Sequence, residues 1–300
     1  MSSFVAQLSE AQIKLLLQTL PSQGFTLLPR EHAHFFAQKK GVSCTVYLSG
    51  KIVVQGSESP EWIDYYLEPE ILKKIMRSAR GDWYENFEPH LGSDEAGKGD
   101  LFGPLCLACV GVEEKHLPWL HEIGVKDSKL ISDIQVRVLA REIWKKLPCQ
   151  LQVLLPSSYN KLWQRFKNLN LLMAWLHSDL IQKLVAQSED KKWSYALVDQ
   201  FSQAQLVKKR VTKENPDIHV IERTKAESDP AVACASILAR ASFLKSLEDL
   251  SQSAGIRMAK GAGSPAKNLL REIIRSHPHL DLNLYVKMHF KTVAEVQGEN

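Results

Sequence analysis

The stretch "GSDEAGKGD", Gly92 to Asp100, sets two carboxylates beside a run of glycines. Two chemistries fit such a segment. One is a phosphate-binding loop, because Gly92, four residues, Gly97 and Lys98 match the start of that pattern. The other is a metal-dependent hydrolase, with Asp94 and Glu95 as hard oxygen ligands. A phosphate loop needs Ser or Thr after the lysine, to hold magnesium, and a helix that begins there. Gly99 follows Lys98, and "DLFGPL" puts glycine and proline where that helix should start. Both requirements fail, which leaves the carboxylates.

Two more acids join them. Asp199 ends the apolar run "YALVDQF", where an ionised carboxylate beside a core is costly unless paired or metal-bound. Glu227 lies just before Asp229, near a positive helix end. Four acids from three segments can thus converge on one edge of a sheet, as a two-metal site requires. In such a site one ion lowers the pKa of the attacking water and the other stabilises the leaving oxygen. Salt bridges and caps are the competing roles. For Asp229, followed by Pro230, the cap is the better reading. For Asp94 with Asp199, spacing alone leaves both open. Neighbours on a strand point to opposite faces. Either a bulge occurs at Asp94-Glu95, or Glu95 contributes partly through its backbone carbonyl.

The elements that must position these acids follow a break in the chain. Residues 1–80 read as a small α+β unit. Ser9 and Gln12 form a capping box before "AQIKLLLQTL". The strands "FTLLPR", "AHFFAQKK" and "SCTVYLSGKIVVQG" follow, with a hairpin turn at Ser49-Gly50. A second helix, "EWIDYYLEPEILKKIMRSA", closes the unit. Two helices cannot cover both faces of such a sheet, so one face stays open. It would mix Arg30, His32, His34, Lys39, Tyr47 and Lys51, as a solvated face or as a platform for a phosphate backbone. Residues 81–90 read as a linker. Residues 91–300 then read as three strands in succession ("HLGSDEAG", "GPLCLACVGVE", "CQLQVLLPS") and a long helical region from Ser158 to about Ser188. The strands "SYALVDQF" and "DIHVIER" come next, then a helix from Pro230 and another from Ser264-Pro265. "LDLNLYVKMHF" reads as one more helix. The pattern predicts an α/β mixed sheet flanked by helices.

Composition sets the outer bounds. Of 300 residues, 44% are hydrophobic and 24% charged, which supports a buried core. A net charge of +4 permits a polyanionic partner without demanding one. No apolar run reads as a membrane span, and the first residues lack a signal-peptide pattern. Five cysteines argue for a reducing, cytoplasmic setting. Cys106 and Cys109 form a CxxC inside an apolar run, which reads as a buried strand rather than a redox or zinc site. The histidines show no zinc spacing.

Three segments carry a resemblance. "GSDEAGKGDLFGPL", "GVKDSKLIS" (124–132) and "RTKAESDPAVACASILAR" (223–240) resemble the type 2 ribonucleases H. Within that family the chain most resembles ribonuclease HIII. The loop reads Gly97-Lys98-Gly99 where the HII relatives usually carry arginine in the middle. The fourth acid, Glu227, is glutamate where they have aspartate. The N-terminal unit resembles the TATA-box-binding-protein-like domain of HIII enzymes. The resemblance implies a ribonuclease-H-like fold and endonucleolytic cleavage of RNA in RNA–DNA hybrids, leaving 5′-phosphate and 3′-hydroxyl ends. It implies Mg2+ or Mn2+ held by Asp94, Glu95, Asp199 and Glu227. It also implies substrate contacts from Gly97, Lys98, Gly99, Ser128 and Lys129, and a monomer. The stretch after "KGAG" departs from many relatives, which leaves Lys287 and His289 without a role. Two rival readings remain: cleavage at single ribonucleotides embedded in DNA, and a non-catalytic nucleic-acid-binding protein.

Overall fold

The computed structural model describes residues 4–72, 87–125, 128, 131–188, 193–201, 204–214, 218–224 and 226–298. The chain divides into two units, Met1–Asp82 and Trp83–Asn300. Most of the expected linker, and Lys129 of the second motif, lie outside the described residues.

The first unit is one antiparallel sheet with helices against a single face. Its elements are β1 (Phe4–Gln7), α1 (Glu10–Thr19), β2 (Thr26–Leu28), β3 (Ala33–Lys39), β4 (Val42–Tyr47), β5 (Lys51–Gln55) and α2 (Ser59–Trp62). The sheet order is β1-β5-β4-β3-β2. The capping box forms as expected: Ser9 Oγ accepts from Gln12 N–H, and Gln12 Oε1 accepts from Ser9 N–H. β1 is an addition to the sequence reading; its four residues are too short to show a period. After α2 the chain winds as a π-helix over Ile63–Leu72 instead of continuing as α. Pro69 lies in this stretch and has no amide proton to give, so regular α bonding cannot run through it.

Alternation decides the two faces of this sheet. Phe35, Ala37, Val42, Cys44, Val46, Ile52 and Val54 pack against Ile13, Leu16, Leu20, Trp62 and Leu67. The opposite face carries a row in register, Leu28–Phe36–Thr45–Val53–Val5, in which Val5 and Leu28 are 43% and 40% exposed. No helix among the described residues covers this row. Arg30 lies along it, donating to Thr45 Oγ1 at 3.0 Å with its guanidinium 5.4 Å from the Phe36 ring centre. Lys39 does not belong to this face. It shares the side of Phe35 and Ala37, and its ammonium sits 4.9 Å from the Phe25 ring centre.

The second unit is a mixed sheet between two helical layers. Its elements are β6 (His90–Ala96), β7 (Leu105–Val112), α3 (Leu117–Glu122), α4 (Asp133–Lys146), β8 (Cys149–Leu154), α5 (Pro156–Phe166), α6 (Leu169–Ala186), β9 (Tyr195–Asp199), α7 (Leu206–Glu214), β10 (His219–Arg223), α8 (Pro230–Ala254), α9 (Ser264–Ser276) and α10 (Lys291–Gly298). The order β10-β9-β6-β7-β8 is parallel on the β10-β9-β6 side and antiparallel across β6-β7-β8. Helices α4 and α8 pack one face and α6 and α7 the other. Gly92 permits the tight α8–β6 contact, since a Cβ there would lie 2.2 Å from the Ala231 backbone. α8 is long and apolar enough to cross a bilayer, yet 78% of its most apolar 18-residue window is buried inside the fold.

Several expectations change. Helices α3 and α4 stand between the second and third strands; the Ser132/Gln135 capping box is the signal for α4. The long helix from Ser158 is two helices, broken where Lys167 turns left-handed (φ 47°) and Asn168 caps α6. "LDLNLYVKMHF" forms no α-helix; it makes a single 3-10 turn at Leu282–Leu284, then Val286 bridges to Phe102. Cys106 and Cys109 are buried in β7, as the strand reading requires, and burial holds the Cys106 thiol up at about 12.

Candidate active site

Asp94 and Glu95 lie at the C-terminal end of β6. Their pairing with β7 is regular, Asp94 with Ala108 and Glu95 with Leu107, so there is no bulge. The two side chains do point to opposite faces. Asp94 turns toward α8, where Ser236 hydrogen-bonds it. Glu95 turns toward α6, where His177 Nε2 lies 3.4 Å from its Oε2. Because β9 pairs with β6 only as far as Ser93–Val198, both carboxylates reach the end of the sheet and border one cavity. The alternation puzzle is resolved by position, without a bulge or a backbone carbonyl.

That cavity, about 410 Å3, gathers nearly every residue singled out from the sequence. Asp94, Glu95, Asp199 and Glu227 line it, with Gly97, Lys98, Gly99 and Ser128. Asp199 ends β9 and accepts from Ala226 N–H at 3.1 Å, which ties it to the turn bearing Glu227. Asp229 is not in the lining. It caps α8 by accepting from Ala231 and Val232 N–H, and it pairs with the buried His90 at 2.9 Å.

Electrostatics mark the cavity as cation-seeking. Burial and the Glu95 charge lift the Asp94 carboxyl to about 7, and Asp199 adds to the lift; bonds from Ser236 and the Glu95 amide oppose it. Burial pushes Glu95 up as well, but His177 and Lys98 outweigh it and hold the carboxyl below its usual range. Crowded carboxylates of this kind are relieved by a divalent cation. The donors are hard oxygens, suited to Mg2+ or Mn2+. No three such side chains among the described residues enclose an ion by themselves.

The two glycines of the loop differ. Gly97 has φ +88°, and a Cβ there would meet the Pro104 carbonyl at 2.2 Å, so the fold itself demands glycine. Gly99 faces open space, with nothing within 4 Å of a Cβ. Lys98 sits 3.5 Å from Glu95 Oε1 and 5.3 Å from the Phe201 ring centre. Ser128 is buried and shares a 2.8 Å hydrogen bond with Ser236, the residue that bonds Asp94.

Other residues of the site had no role from sequence. Arg240 and Lys260 add positive charge to the cavity wall. Arg240 donates to the Ser128 carbonyl and to Asp133 at 2.7 Å; Lys260 bonds the same Asp133 at 2.5 Å. Asp100 turns back to accept from Gly261 N–H at 2.5 Å. Lys287 is fully buried and donates to the Asp100 and Gly103 carbonyls at 2.8 and 2.7 Å, stapling the loop that follows the glycines. His289 packs on Trp163 with ring centres 4.0 Å apart. His177 and Phe201 have no motif around them; only the folded chain brings them to Glu95.

Residues 91–293 match the family model described as Ribonuclease HII. The chain belongs to the ribonuclease HII family. Residues 3–78 match a second model, described as Domain of unknown function (DUF3378). Within the family, the chain is 40% identical to Ribonuclease HIII of Protochlamydia amoebophila, over 99% of this chain and 97% of that one. It is 41% identical to Ribonuclease HIII of Chlamydia muridarum, over 98% and 97%. Among solved structures it is similar to Bst-RNase HIII in complex with Mn2+, at TM-score 0.65 and 28% identity over 99% of both chains. The RNase HII of the PCNA complex from Archaeoglobus fulgidus matches at TM-score 0.58 and 28% identity, over 69% of this chain and 96% of that one. The ribonuclease HII family assignment thus covers the unit that holds all four acids. The likeness to the HIII proteins extends through the first unit as well.

Proposed function

We infer that this protein is an endoribonuclease of the HIII type, which hydrolyses the RNA strand of RNA–DNA hybrids and leaves 5′-phosphate and 3′-hydroxyl ends. The observation that carries this is the convergence of Asp94, Glu95, Asp199 and Glu227, from three chain segments, on one cavity beside a glycine loop. These four side chains are assigned as the ligands of Mg2+ or Mn2+. When bound, such ions activate a water and neutralise charge at the leaving oxygen. The chain supplies the rest. Lys98, Arg240 and Lys260 bring positive charge to a cavity whose acids would otherwise repel a phosphate backbone. Gly99 leaves backbone open to a ribose, and Gly97 sets the loop's path. Ser128 supports this wall from beneath, through Ser236 and Arg240. Lys129 is assigned to substrate phosphate by resemblance of its motif.

The uncovered face of the first unit is assigned to duplex binding, with Arg30 and the Leu28–Val5 row as its contact surface. The protein is taken to act as a cytoplasmic monomer. Mapping cleavage on a labelled hybrid, with Mg2+ and with Mn2+, tests the whole reading. Cuts along an all-RNA stretch support it. Cuts only at a lone ribonucleotide in duplex DNA would favour HII-type specificity. Salt-dependent binding without metal-stimulated cleavage would point to a non-catalytic binder.

A further inference from the structure

We propose that His177 is the positioning residue for Glu95, with its tautomer chosen by Ser93. This rests on Glu95 being a metal ligand. His177 lies on α6 and is completely buried. Its ring stacks on Phe201, with centres 5.5 Å apart and planes 17° from parallel, so the ring cannot turn freely. Nδ1 is 2.8 Å from Ser93 Oγ, one rung before Asp94 on β6. Nε2 faces the Glu95 carboxylate, 3.4 Å from its Oε2.

Ring chemistry then fixes the arrangement. A bare Nε2 would aim a lone pair at a carboxylate, which is repulsive in a buried setting. A proton on Nε2 makes the same contact attractive. In the neutral ring that single proton can sit on Nε2 only when Nδ1 accepts. Ser93 has one hydroxyl proton and two acceptors in reach, Nδ1 at 2.8 Å and the Ala108 carbonyl at 2.9 Å. Donation to Nδ1 puts the ring proton on Nε2. The result is a relay from Ser93 through His177 to Glu95. The other carboxylate oxygen is taken by Lys98 at 3.5 Å. Glu95 is thereby held from two sides while it borders the cavity. Partners of this kind orient metal-binding carboxylates and hold their affinity.

Two substitutions separate positioning from simple core filling. His177→Asn keeps a polar group near Nδ1 for Ser93 and removes the one at Nε2. His177→Gln places an amide donor near Nε2. Mn2+ binding to the substrate-free protein, followed by electron paramagnetic resonance, should weaken about 10- to 100-fold in the Asn variant. The Gln variant should stay within a few-fold of wild type. The metal concentration for half-maximal cleavage should shift in parallel, more than kcat at saturating metal. Unchanged Mn2+ affinity in His177→Asn overturns the proposal. So does equal loss in both variants with wild-type melting. Nitrogen NMR of the wild type gives a check that no variant can spoil: a bare Nε2 on His177 would overturn it as well. Failure of the underlying site assignment looks different, since wild type would then bind no Mn2+ that Asp94→Asn removes.

Discussion

Asp94 and Asp199 stand one residue beyond the last paired rung between their parallel strands, Ser93 with Val198. Both sit on the α8 side of the sheet, where Gly92 and Leu197 already face that helix. Two carboxylates are thus placed side by side by strand register alone. Asp94→Asn removes one charge without changing volume. Cleavage of hybrid should fall to the level of a no-enzyme control, while hybrid binding by gel shift persists. Undiminished turnover would sink the assignment.

The two loop glycines should fail differently. Gly97→Ala puts a Cβ against the Pro104 carbonyl at a left-handed φ. It should lower both melting temperature and kcat, with strain on the order of 1–3 kcal/mol. Gly99→Ala meets nothing inside the protein. Its melting curve should overlay wild type, while KM for hybrid rises. Normal KM in Gly99→Ala would remove this glycine from the substrate contacts.

Lys287 gives a pH signature. Burial lowers its ammonium from 10.5 to about 8; the nearby Asp100 and Cys106 pull it back up. The folded state therefore releases the proton first. Below about pH 8 both states hold it, and the cost of burying the charge is fully present. Between about 8 and 10.5 the unfolded chain binds more protons, so stability rises with pH. The swing is on the order of 3 kcal/mol. Of the other groups against Lys287, Cys106 and Tyr159 titrate above this window and His289 below it. Urea unfolding at pH 7.5 and 10, in wild type and Lys287→Met, should show wild type gaining on the variant at the higher pH. Parallel behaviour would contradict the buried ammonium.

Asp229 should matter for stability rather than chemistry. Asp229→Ala removes the cap of α8, worth about 1 kcal/mol. It also leaves buried His90 without its carboxylate, a further 1–3 kcal/mol or so. Denaturant midpoints should drop accordingly while the surviving folded enzyme keeps its metal dependence. A loss of activity without a loss of stability would instead put Asp229 among the ligands.

Charge on the open face of the first unit is testable in the full chain. Arg30→Glu reverses the charge of the arginine that lies along the uncovered row. KM for hybrid should rise with kcat nearly unchanged, and the salt dependence of binding should flatten. An unaltered KM would argue against a substrate platform there.

Residue type announced the acids, and the fold placed them. Asp94 and Glu95 stood out as paired carboxylates beside a glycine run that fails as a phosphate loop, and Asp199 because charge at the end of an apolar strand is expensive. The capping box at Ser9 and the cap at Asp229 were legible because such signals are local. The break at Lys167-Asn168 was hidden by uniformly helix-compatible neighbours, although Asn168 is itself a capping residue. β1 gave four residues, too few for a period. His177 could not be read at all: it lies 84 residues from Ser93 and carries no spacing of its own. Lys287 reads as a surface lysine until the loop carbonyls that receive it are known.

The Lys287 staple also has a meaning in time. Its bonds to Asp100 and Gly103 span 187 and 184 residues. A chain leaving the ribosome exposes every carboxylate of the cavity before it has made the lysine that shapes the neighbouring loop. The acids can be gathered early, but the mould around the substrate is finished only when the segment bearing Lys287 arrives. Synthesis order thus separates the collecting of ligands from the completion of the enzyme.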